Sequence, residues 1–137
     1  MNRIEDLTSA LPAWAETQPS VDALWLFGSH AKGTQHAGSD VDVAVLFAHG
    51  HVPKGMARLE LMAALSDCVH SNVDVVIMNT AGELISNQVR STGMRLYSRN
   101  ATRTALFEIA EHGKYDDFKR IKDHIISVRK AQLRAQP

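Results

Sequence analysis

The sequence has little of several things, and each scarcity excludes something. Of 137 residues only one is cysteine, Cys68, so no internal disulfide can form and the expectation is a reducing compartment such as the cytoplasm. Basic and acidic residues number 15 each and the formal net charge is zero, so the whole chain offers no strong field to nucleic acid or an acidic membrane. Any electrostatic function must be local. Aromatic residues make up 6%, with no basic and aromatic interleaving of the kind that stacks bases, so no nucleic-acid partner is expected. No run approaches the roughly 20 apolar residues of a membrane span, and the start has no basic flank leading into an apolar stretch. There is no internal repeat. A chain of this length fits one domain, so the expectation is a single domain over 1–137 with 102–134 as a C-terminal helical segment.

Apolar periodicity supplies the elements. Ile4, Leu7, Leu11 and Trp14 recur at helical spacing, which predicts a helix over 3–16 and a turn over 17–20. A short apolar run over 23–27 stops at Gly28, and an almost unbroken valine-rich run over 41–47 suits a strand covered on both faces. A loop over 49–53 follows. The pattern then predicts a helix over 54–69, a strand over 73–78, a helix over 81–91, an edge strand over 93–97 and a helix from 102 toward the C terminus. The fold class expected is α/β.

Topology brings particular residues together. The second and third strands are joined by a helix, the connection parallel neighbours need. The first strand reaches the second through only Gly28 to Ser39, so it most simply runs antiparallel. Gly28, Ser29, Asp40, Asp42 and Asp74 then converge on one sheet edge, and alternation puts Asp40 and Asp42 on one face. Two carboxylates about 5 Å apart repel by roughly 3 kcal/mol at an effective dielectric near 20, so a cation should sit there. Oxygen ligands without cysteine or histidine suit Mg²⁺ or Mn²⁺, with water and a substrate phosphate completing the shell. Two such ions can clamp the attacking and leaving oxygens of an in-line displacement. Gly28 admits close backbone approach, and Ser29 with the amides that follow can cradle a triphosphate. The chemistry this combination points to is phosphoryl or nucleotidyl transfer.

Gly28-Ser29, ten residues, Asp40-Val41-Asp42 and then Asp74 one helix later resemble the signature of the polymerase-beta-type nucleotidyltransferase superfamily. The stretches "FGSHAKG" and "SDVDVAVLF" resemble its minimal nucleotidyltransferase (MNT) branch over about residues 22–99. That resemblance implies a mixed β-sheet flanked by helices, Mg²⁺ at Asp40 and Asp42, and Asp74 as ligand or as base toward the attacking hydroxyl. It also implies an antitoxin whose partner is a HEPN ribonuclease toxin, with AMP moved from ATP to a toxin tyrosine. Lys32 departs from the pattern: many members carry Arg there, and lysine is a point charge without the bidentate fork.

Other readings were weighed on the residues. Asp-x-Asp alone would suit caps flanking a strand. An EF-hand fails because Val43, Ala44 and Val45 follow Asp42, and a P-loop fails because Lys32 precedes Gly33. Ser29 beside His30 lacks the elbow of a hydrolase nucleophile. His49 and His51 lack zinc partners and read as solvated, and Cys68 reads as a small core residue. Arg90, Arg95, Arg99 and Arg103 suit a solvated face, with phosphate or partner contact as the alternative. Phe118, Ile121, Ile125 and Val128 form an apolar stripe that either packs on its own sheet or meets a toxin or a second copy. Transfer to a small-molecule hydroxyl, as in aminoglycoside nucleotidyltransferases, and inhibition by occlusion alone stand as the rival functions.

Overall fold

The computed structural model describes residues 4–35 and 38–135. Its elements in chain order are α1 (Ile4–Glu16), β1 (Val21–Phe27), α2 (Ser29–Lys32), β2 (Val41–Phe47), α3 (Met56–Val69), β3 (Val73–Ile77), α4 (Glu83–Thr92), β4 (Met94–Ser98) and α5 (Ala101–Arg134). The four strands form one mixed sheet in the order β3-β2-β1-β4. β1 runs antiparallel to β2 and to β4, while β2 and β3 are parallel, with Asp42 opposite Asp74.

Alternation divides the strand residues between two cores. Leu24 and Leu26, Val41, Val43 and Val45, and Val73, Val75 and Ile77 face α1 and α3, meeting Leu7, Leu11, Ala15, Leu65 and Val69. The opposite face carries Ala23, Trp25, Phe27, Ala44 and Leu46 against Val89 of α4 and Phe107 of α5. The Trp25 and Phe107 rings lie 6.3 Å apart. β1 is buried along its whole length, which is why a run without polar alternation forms a strand here.

The element order and strand directions match the sequence expectation, and β4 is an edge strand as expected. β1 begins two residues earlier than its apolar run. Asp22 belongs to it because its carboxylate accepts a 2.9 Å hydrogen bond from Arg103, a partner 81 residues away that local patterning does not show. At the far end of β2, Asn79 exchanges two hydrogen bonds of 2.9 Å with the backbone of Phe47, extending the ladder with a side chain. α5 is capped by Asn100, whose side chain accepts from the amide of Arg103. Its 34 residues make a rod about 50 Å long. Thr104 and Glu111 are buried against the body, but every residue from Lys119 to Ala135 is exposed. The first third of α5 therefore packs on the body, whereas Ile121, Ile125 and Val128 of the expected stripe are exposed. No helix among the described residues is long and apolar enough to cross a membrane.

Candidate functional site

The site forms where β1 ends and β2 begins. The chain leaves β1 at Gly28 with φ 75° and ψ −152°, a conformation open in practice only to glycine. Space makes the same demand: a Cβ on Gly28 would lie 2.1 Å from Oδ2 of Asp42 and 2.9 Å from its Cγ. The Asp42 carboxylate is thus seated directly against the Gly28 backbone. The short α2 follows, with Ser29 half-buried, and closes at Gly33, a left-handed residue whose amide donates to the Ser29 carbonyl.

The three carboxylates stand on one sheet face. Asp42 follows Asp40 by two residues at the start of β2 and is in register with Asp74 of β3. That face is the one α4 and α5 cover farther along β1 and β2, but Asp40 and Asp74 lie beyond the cover and are exposed, and Asp42 is half-buried. Burial pushes the Asp42 carboxyl above the usual carboxylate range, and the negative charges of Asp74 and then Asp40 push it further, against an opposing effect of His30. The structure therefore brings together Gly28, Ser29, Asp40, Asp42 and Asp74. Among the described residues, however, no group of three histidine, cysteine, aspartate or glutamate side chains is arranged to hold a metal ion by itself. A hard cation drawn by Asp42 and its acidic neighbours would need further oxygens from water or substrate phosphate, consistent with the donor chemistry. Lys32, the last residue of α2, is exposed at the same edge. A cavity of about 720 Å³ opens beside Asp40, walled by Ser66, Asp67, His70 and Asn72.

His30 is a site residue that spacing arguments pass over. It is 2% exposed, and among the described residues neither ring nitrogen has a hydrogen-bond partner, so it makes no pair with Ser29. The reading of Ser29 and His30 as anything but a hydrolase pair stands on that. Of the arginines near β4, Arg95, Arg99 and Arg103 are exposed, as a solvated face requires, and Arg90 is half-buried, yet all four also have protein partners. Arg99 donates to the carbonyls of Val21, Ala15 and Gln18 at 3.0, 3.3 and 2.8 Å, and Arg103 and Arg95 pair with Asp22 and Glu108, each at 2.9 Å. Their partners are distant in sequence, so the pairing is a tertiary fact. Arg90 donates through Nε to Ser86, whose hydroxyl donates to the buried Glu111. His49 and His51 are exposed. Cys68 is half-buried, with Sγ 3.5 Å from the Ala10 carbonyl.

Comparison with known proteins bears on this geometry. Residues 10–102 match the family model described as polymerase beta, nucleotidyltransferase. A protein adenylyltransferase, MntA of Shewanella oneidensis, is 38% identical over 79 residues, 58% of this chain and 55% of that protein. The match spans about half the length of that curated relative. A crystal structure of a toxin-antitoxin with AMP-PNP superposes with a TM-score of 0.73 at 28% identity, covering 93% of this chain and 98% of the other. A MNT antitoxin in complex with the tri-AMPylated Shewanella oneidensis HEPN toxin is similar in fold, with a TM-score of 0.70 at 23% identity over 95% of this chain and 99% of that one.

Proposed function

The chain belongs to the polymerase beta nucleotidyltransferase family, and on that footing we propose that it is an adenylyltransferase antitoxin of a HEPN/MNT toxin-antitoxin module, acting in the cytoplasm. It moves AMP from ATP to a tyrosine hydroxyl of the partner HEPN toxin and so neutralises it. The observation that carries this reading is the seat of Asp42: its carboxylate lies against Gly28, its acidity is weakened by burial and by Asp74 and Asp40, and both features suit a cation-dependent phosphate site. The Shewanella relative that bears the name adenylyltransferase and the similar antitoxin chain with AMP-PNP support the same reading.

Each residue has a part. Asp40 and Asp42 would hold Mg²⁺, one ion or a pair, with Asp74 completing the acidic site. When bound, the metal supplies charge neutralisation of the triphosphate and of the leaving group. Gly28 lets the phosphates approach the backbone, Ser29 and the amides opening α2 hold phosphate oxygens, and Lys32 adds a positive charge. The acceptor hydroxyl oxygen bonds to the α-phosphorus of ATP, the bond from that phosphorus to the β-phosphate bridging oxygen breaks, and pyrophosphate departs. The hydroxyl proton passes to the exposed carboxylate of Asp74.

The test is direct. The protein is incubated with Mg²⁺, ATP labelled at the α-phosphate and the product of the adjacent gene, expected to be a HEPN protein. Label and the mass of AMP appear on the partner, and both vanish in the Asp40→Asn/Asp42→Asn variant. A stable complex without label would establish occlusion instead, and label on a small alcohol alone would establish a small-molecule enzyme.

A further inference from the structure

The projecting half of α5 is the largest feature the catalytic site does not use. Thr104, Phe107 and Glu111 face the body, and the same helical face continues through Lys114 to Phe118, Ile121, Ile125 and Val128. The intervals alternate between three and four residues, the spacing of a coiled-coil seam. Lys114 joins the two parts by pairing with Glu111 at 3.5 Å. Past Phe118 none of the described residues covers the seam: Ile121 is 62% exposed and Ile125 61%. The helix is continuous, so the stripe from Phe118 to Val128 runs about 15 Å along a rod that cannot fold back on its own domain.

Charge narrows what covers it. From Lys119 to Arg134 stand Lys119, Arg120, Lys122, Arg129, Lys130 and Arg134 against Asp123 alone. In a chain that is neutral overall, this arm holds a concentrated positive excess. Two such arms laid together would set like charges within about 8–10 Å, inside a Debye length, which opposes self-pairing. A narrow seam of two residues per seven also differs from the wide apolar face of a helix lying on a membrane.

We propose that residues 118–134 of α5 are a docking arm for an acidic helical face of the acceptor protein, which the arm holds while its tyrosine reaches the carboxylate edge. The proposal rests on the reading that the acceptor is a protein, and its test is made without ATP. Affinity of the full chain for the product of the adjacent gene, the expected HEPN partner, is measured by calorimetry for the native sequence, for Ile121→Glu/Ile125→Glu and for Lys122→Glu/Arg129→Glu. Both pairs are exposed, and circular dichroism checks that the helix and body persist. The isoleucine pair should raise Kd about a hundredfold, as loss of an interface anchor does. The charge pair should raise Kd about tenfold at low salt and flatten its salt dependence. Affinities within threefold of native for the isoleucine pair overturn the proposal, whether or not that variant loses self-association in sedimentation or binding to phosphatidylserine vesicles. Absence of any complex with the native chain overturns it too. Docking lost in these variants, beside a labelling experiment that shows no AMP on the partner, would sustain the arm and remove the catalytic reading; docking unchanged, beside label on the partner, would do the reverse.

Discussion

Gly28→Ala tests the site at the point where backbone and catalytic side chain touch. The substitution acts twice. At φ 75° and ψ −152° an alanine is strained by about 1–3 kcal/mol, and its Cβ falls 2.1 Å from Oδ2 of Asp42, where real contacts do not come below 3.0 Å. The carboxylate must retreat by about 1 Å, a displacement of the size that can lower turnover about a hundredfold. Strain and clash together should lower the melting temperature by about 6–12 °C, taking about 3 °C per kcal/mol at this chain length. Thermal unfolding followed by circular dichroism gives the stability, and transfer of label to the partner gives the activity. The two causes separate in a double-mutant cycle with Asp42→Ala. In that background the contacts with Oδ2 and Cγ are gone, and strain and the 3.2 Å approach to Cβ of residue 42 remain, so Gly28→Ala should destabilise less there, with a coupling of about 0.5–3 kcal/mol. A melting temperature within about 1 °C of native together with native transfer, or a coupling of zero, would refute the close approach.

Three further outcomes follow from the same contacts. Because burial, and then the charges of Asp74 and Asp40, raise Asp42 above its ordinary value of 3.8, the folded state binds that proton more tightly than the unfolded one. The stability this contributes is present below about pH 4 and is lost as pH rises through the folded value, so Asp42→Asn should raise the melting temperature at pH 7 and give no gain below about pH 4; a variant less stable at pH 7 would contradict this. Millimolar Mg²⁺ should raise the melting temperature of the native chain and leave Asp40→Asn/Asp42→Asn unchanged, as read by differential scanning fluorimetry. Arg99→Ala removes three hydrogen bonds to backbone carbonyls and should cost about 2 kcal/mol, about 6 °C, while transfer per folded molecule stays native; normal stability would show the contacts to be idle.

What sequence could show, and what it could not, divides along physical lines. Strand order and the meeting of Gly28, Ser29, Asp40, Asp42 and Asp74 at one edge followed from periodicity and connection length, which are local quantities. Asp22 falls outside the apolar run that marks β1, and its counter-charge is Arg103; Arg99 is exposed as expected, but its three carbonyl partners lie about 80 residues earlier. Such pairs depend on tertiary placement, for which a single chain holds no spacing signal. His30 escaped for another reason: neighbouring motif residues invite functional readings of Ser29, but only the structure shows the ring buried with both nitrogens unpaired.

The same distinction explains the opposite fates of two apolar patterns. The stripe of α1 and the stripe of α5 look alike in sequence, each an apolar residue every three or four positions. α1 follows no long strand connection and lies flat on the sheet, so Leu7 and Leu11 are fully buried. α5 starts at the sheet edge beside β4, and its 34 residues outrun the sheet within about three turns. A five-residue strand such as β4 spans only about 17 Å, whereas the helix spans about 50 Å. A length mismatch of that size guarantees an uncovered apolar seam in the free chain. The sequence keeps isoleucine there and surrounds it with lysine and arginine, the arrangement that an acidic helical face would complement.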